Sequence, residues 1–419
     1  MALLSTSAMP RRGVLTLVAL LLVALNLRPA LTSVSPVLGS IAEALALSPS
    51  WQGILTTLPV LFLGLAAPLA PRLVRRIGPE RSVFAALVVL AVALLARPYI
   101  GTAGLFLGTA IAGSCIGIIG VLLPGIVKRD FPRRVSIMTG LYTVALNLGA
   151  SAAAGTTEPL RQLLGGGWQD AAQGASQGAA QGISHGSWQG ALAFWLLPAV
   201  IAALLWLPQL KGTKPVRVPV RRGARLRHDP LAWQVSLFMG LQSSLAYIVF
   251  GWLPTILQDR GLEAVTAGLA LSVSILLQVI TAILAPWVGS RMRDQRAVLI
   301  GVMTLTLIGL LGCLYAPIGS IWLWIVVLGL GQGGTFSMAL TLLALRAPDA
   351  TTAASLSAMA QGIGYTLAAM GPLLVGVLHD WSGGWNVVGF LVSAIALAAL
   401  VMALGAGRDR QVASTYGVD

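Results

Sequence analysis

The sequence predicts an all-α integral membrane protein, with twelve transmembrane helices in two six-helix halves. Three observations predict it. Of the 419 residues, 57% are hydrophobic and only 10% charged, against about 25% charged in a soluble domain. The apolar residues gather into twelve runs close to the roughly 20 residues that cross a bilayer. A basic loop in the first half also returns in the second, 215 residues later (Pro71 to Pro286).

The first run, Val14–Leu38, carries Asn26-Leu27-Arg28-Pro29 near its middle and Pro36 near its end. Met1–Leu25, with Arg11 and Arg12, could also be read as a signal peptide. The run continues past a normal signal core and contains Arg28, so an uncleaved first span is expected. Spans two to six follow as Trp51–Pro71, Ser82–Arg97, Gly101–Leu123, Ser136–Thr156 and Gly190–Leu207, the third being the shortest. Spans seven to twelve are Leu231–Leu257, Thr266–Val288, Ala297–Ala316, Ile321–Leu345, Thr352–Leu374 and Val387–Leu404. Glycine and proline are abundant at 48 and 22 residues, as suits close helix packing in lipid. Cys115 and Cys313 lie in apolar runs of different halves and read as small packing residues.

The resulting organisation is an N-terminal half over residues 1–207, a basic linker over 208–230, a C-terminal half over 231–407 and a tail over 408–419. The loop at about 165–190 contains five glycine-ended tetrads, a low-complexity insertion. His185 within it has no partner at metal-ligand spacing, and no metal or cofactor is expected. The net charge of +14 does not indicate nucleic acid, because the basic residues sit in short loops between apolar runs. With both termini cytoplasmic, 23 of the 27 lysines and arginines fall on that side, the others being Arg28, Arg97, Arg161 and Arg260. The expected location is a bacterial-type inner membrane with both termini inside.

Offset 215 aligns Pro71 with Pro286, Arg76 with Arg291, Arg81 with Arg296 and Val83 with Val298. Gly113 and Gly117 match Gly329 and Gly333 at 216, and Pro36 matches Pro254 at 218. Two parallel six-helix repeats form a recurrent transporter plan. The repeated loop resembles that of the major facilitator superfamily, although Leu73 and Val74 stand where an acidic residue is usual. Glu80 and Asp294 are left as loop acids, expected to be solvated. Asn26–Val34, Trp252-Leu253-Pro254 and Ala358–Pro372 are similar to the branch of cyanate permeases and 2-nitroimidazole transporters. The resemblance covers the chain apart from the tetrads. It implies the major facilitator fold, rocker-switch alternating access, and a central cavity lined by spans one, four, seven and ten, helped by two, five, eight and eleven.

Ten polar side chains lie at mid-depth and are candidate solute contacts: Asn26, Arg28, Tyr142, Asn147, Gln242, Tyr247, Gln278, Gln332, Gln361 and Tyr365. Each amide alone could be an interhelical hydrogen bond, and each tyrosine a packing aromatic. Arg28 carries the most weight, because a cation at mid-bilayer is costly. None of the 13 acids falls in the middle of a span, so an anionic solute would supply the missing partner. The same absence favours uniport or exchange over a proton relay.

The expected function is transport of a small solute near Arg28, a cyanate-like anion being favoured, by a monomer in the lipid bilayer. The alternative is an exporter of nitroimidazoles or other drug-like compounds, with Trp252, Tyr247, Tyr365, Met359 and Met370 as stacking and packing surfaces. A channel or a membrane enzyme is a minor reading. The second lacks a nucleophile, metal set or acid–base pair at depth, so the chain is not expected to be an enzyme.

Overall fold

A computed structural model describes residues 11–132, 135–166, 188–210 and 226–412. The tetrad insertion with His185, most of the linker and the end of the tail lie outside the described residues. Among the described residues, twelve helices are long and apolar enough to cross a membrane. They are Leu15–Leu45, Pro49–Ile77, Pro79–Ala96, Gly101–Asp130, Ile137–Leu164 and Trp188–Leu210 in the first half. The second half holds Pro230–Asp259, Ala264–Gly289, Arg296–Tyr315, Ile318–Leu345, Ser355–Ser382 and Asn386–Ala406.

Span three is the shortest of the twelve, as expected, at 18 residues, and it begins three residues earlier than its apolar run. Pro79 occupies its first turn together with Glu80 and Arg81, where proline's missing N–H costs nothing and an acid meets the positive helix end. Span one is a helix only in pieces: Arg11–Leu25, Pro29–Thr32, a 3-10 turn at Ser35–Val37, and Leu38–Leu45. Proline supplies no N–H to the carbonyl four residues earlier, so Pro29 releases Leu25 O and Pro36 releases Thr32 O. Arg28 stands at the first of these breaks, as the cap of the Pro29–Thr32 turn.

The repeat is physical as well as sequential. A Cβ on Gly113 or Gly117 would lie 2.4 Å from the carbonyl oxygens of Pro59 and Leu63 in span two. On Gly329 or Gly333 it would lie 2.6 and 2.0 Å from those of Ser274 and Gln278 in span eight. These glycines let the backbones touch, and their partners are again 215 residues apart.

The loop acids differ from expectation. Glu80 is buried and pairs with Arg129 at the end of span four; it is not a solvated loop charge. Its repeat position is Gln295, which accepts from Arg346 at the end of span ten, so the second half makes the same link without the acid. Asp294 stays at the surface beside Arg296.

Among the described residues, the hydrogen bonds that join the halves run from mid-depth to the end far from the termini. Ser50 donates to Asp380 (2.5 Å), Gln258 donates to Pro36 O (3.4 Å), and Ser151 meets Ser272 (2.7 Å). On the termini side, Gly120, Gly125, Gly140 and Gly362 in spans four, five and eleven face open space. The halves are joined toward the far end. The three arginines expected there are all tied to protein groups: Arg97 is fully buried, Arg161 pairs with Glu158 (2.8 Å), and Arg260 donates to Cys313 O and Ala316 O.

Candidate functional site

Arg28 leaves the helix break half-buried and crosses to span five, where its Nη1 donates to Asn147 Oδ1 at 3.2 Å. Two rings face its guanidinium. Phe250 of span seven has its centroid 5.3 Å from Cζ, and Phe336 of span ten 5.8 Å. Both are within cation–π range. Tyr142, Tyr247 and Tyr365 stand near the guanidinium, and among the described residues no carboxylate lies within ion-pair distance of it. Tyr247 stands edge-on to Phe250 and to Tyr365, at 6.0 and 6.4 Å. Helices from both halves thus converge on one cation: spans one and five from the first, and spans seven, ten and eleven from the second.

The local reason is in the packing of spans one and five. Gly149 lies against Leu25 O, the carbonyl that Pro29 releases, and a Cβ there would stand 1.9 Å from that oxygen. Thr32 Oγ1 reaches Ala150 O at 3.0 Å. These contacts seat the broken helix on span five and bring Arg28 level with Asn147.

Five of the ten expected residues therefore gather around one point: Arg28, Tyr142, Asn147, Tyr247 and Tyr365. The others do not join them. Asn26 donates to Leu22 O (2.8 Å) and Pro198 O (3.0 Å) and so ties span one to span six. Gln278 donates to Gln332 Oε1 (3.3 Å) and Gln332 to Leu245 O (3.5 Å), a link among spans eight, ten and seven. Gln242 donates to its own helix at Met239 O (3.1 Å) and to Ser243 Oγ (2.8 Å). Gln361 donates to Ser357 Oγ (2.8 Å), one turn from Tyr365 and half-buried like it. Of the stacking residues in the drug-export reading, Trp252 is buried and donates to Pro372 O (2.9 Å), while Met370 is 45% exposed and no part of the ring cluster that holds Tyr247 and Tyr365. Neither belongs to the cluster.

Phe250 and Phe336 are the site residues that polarity could not reveal, since in an apolar helix a phenylalanine reads as packing. Chemically the arrangement surrounds a cation with ring faces and one amide oxygen, neutral groups that leave its charge unpaired. Among the described residues only Nη1 donates a hydrogen bond, which leaves the rest of the fork for a ligand.

The description Major Facilitator Superfamily fits a model matching residues 20–369, most of the chain and both halves. The chain belongs to that superfamily. It is 37% identical to the 2-nitroimidazole transporter of Escherichia coli (strain K12), over 97% of this chain and 99% of the relative. It is 32% identical to the cyanate transport protein CynX of the same organism, over 88% and 91%. Among solved structures, a bacterial homologue of the human lysosomal transporter Spinster superposes with a TM-score of 0.69 at 15% identity, over 96% of this chain and 94% of that one. That likeness concerns the fold. The protein is a transporter, not an enzyme.

Proposed function

We propose that the protein carries a small planar or linear anion, cyanate-like in charge and size, bound at Arg28 between the two halves. The observation that carries this is the mid-depth cation Arg28, whose guanidinium among the described residues hydrogen-bonds only to the amide oxygen of Asn147 and forms no ion pair with a carboxylate. An anion completes its fork with charge-assisted hydrogen bonds, and the flanking rings of Phe250 and Phe336 favour a flat, delocalised solute. The relative that carries cyanate supports the same class. Alternating access moves the site between the two sides, and the basic-loop asymmetry supports a cytoplasmic location for both termini.

A second reading has an observation of its own. The ring cluster resembles a seat for an aromatic solute, and the 2-nitroimidazole transporter matches along nearly its whole length. A nitro group is planar and carries partial negative charge on its oxygens, so it would address the same guanidinium. Export of nitroimidazoles is this reading.

Uniport or exchange fits either solute better than proton symport, because among the described residues no carboxylate pairs with Arg28. In proteoliposomes, labelled cyanate uptake is expected to saturate, to rise when unlabelled cyanate is loaded inside, and to persist with a protonophore. Collapse of uptake by the protonophore would contradict the coupling assignment. Uptake of 2-nitroimidazole without cyanate would transfer the site to the second reading.

A further inference from the structure

Arg97 follows the last apolar residue of span three, and by sequence it is expected at the face opposite the termini. In the structure it is fully buried. Nη1 donates to Ala30 O at 3.1 Å and Nη2 to Ser33 Oγ at 3.1 Å, while Nε has no partner. Both acceptors belong to the broken middle of span one. An unbroken helix would give Ala30 O to Val34; here Arg97 takes it. Gly108 of span four presses on the Arg97 backbone, so close that a Cβ would lie 2.4 Å from that of Arg97. The guanidinium is therefore delivered from a fixed base.

Burying a cation without an acid is expensive, and two acceptors on one short turn are a specific return for it. That turn, Pro29–Thr32, begins at Arg28, and Arg28 O accepts from Leu31 N (2.9 Å) and Thr32 N (3.1 Å). Between Pro29 and Pro36 the backbone has lost helical bonds, so its direction is set by what grips it from outside. Thr32 holds it to span five and Arg97 holds it to span three.

We infer that Arg97 is a positioning residue for the solute site. It fixes the turn that aims Arg28 at Asn147 and at the bound anion, and it touches neither. This rests on the reading of Arg28 as the solute's anchor.

The test compares Arg97→Lys with Ser33→Ala, the second removing one acceptor without touching a charge. Both are scored for cyanate transport and for a readout that needs no solute. The expected result is a rise in the KM for cyanate of about tenfold in Arg97→Lys and less in Ser33→Ala, with Vmax within about twofold. That size corresponds to one lost hydrogen bond to a charged group. The solute-free readout is the rate at which a cationic thiol reagent labels Arg28→Cys, with and without Arg97→Lys. The account predicts a severalfold change in that rate. An unchanged rate, or an unchanged KM in a protein where Arg28→Ala abolishes transport, overturns the inference. If Arg28→Ala leaves transport intact, the anchor reading fails instead, and the labelling rate still decides whether Arg97 positions residue 28.

Discussion

Arg28→Ala is expected to abolish transport of the anion while leaving insertion and folding intact. The guanidinium spends Nη1 on a neutral amide oxygen, and the described residues offer it no carboxylate. A bound anion would take two charge-assisted bonds from the remaining fork, each worth roughly 1.5–3 kcal/mol. Their loss weakens solute binding by at least about a hundredfold. Membrane insertion does not suffer, because removing a mid-bilayer cation relieves a penalty of about 2.5–3.5 kcal/mol on insertion scales. Arg28→Lys keeps the charge and loses the fork, so a deficit of about tenfold is expected, read as KM in proteoliposomes. Asn147→Asp works in the same direction by another route. It gives Arg28 an internal carboxylate 3.2 Å away, and the solute must then compete with it.

Gly149→Ala is expected to damage the protein more than any other single methyl group in span five. A Cβ at 1.9 Å from Leu25 O cannot be accommodated by turning a side chain, since the obstacle is backbone. Spans one and five must separate, at a cost at or above the roughly 1–3 kcal/mol of ordinary overpacking. The separation also pulls Asn147 away from Arg28 and Ala150 O away from Thr32. Yield of monodisperse protein should fall, and the fraction that folds should transport poorly. Gly140→Ala in the same helix is the control. A Cβ there meets nothing within 4 Å, and alanine is the better helix former, so that variant should behave as wild type.

Much of the fold was legible because a bilayer imposes length and charge rules that the chain obeys locally. Twelve apolar runs mark twelve helices, and the 215-residue offset marks backbone contacts that recur at Gly113/Gly117 and Gly329/Gly333. The site was legible by depth but not by direction. Helices this apolar on every side show no polar stripe to say which face meets lipid and which meets the cavity. Asn26, Gln278 and Gln332 therefore looked equivalent to Asn147 until their partners were seen in neighbouring helices. Phe250 and Phe336 were hidden for the opposite reason, since what they contribute is a ring face and the sequence shows only hydrophobicity. Glu80 was misread because it stands at a helix end, where a charge is ordinarily solvated, and the burial of Arg97 at the end of span three had no local sign. Here a neighbouring span folds over each of them. In each case the missing information is long-range packing, which no local pattern carries.

The central claim is that one anion sits on Arg28 between the two halves. Selenocyanate is a linear anion of the cyanate class with a strong anomalous scatterer, so a crystal soaked with it reports position directly. The account predicts one ordered anion within hydrogen-bonding distance of the Arg28 guanidinium, about 3 Å, beside Phe250 and Phe336, and its disappearance in Arg28→Ala. An anion ordered elsewhere in the membrane region, or one that stays in place in Arg28→Ala, would contradict it.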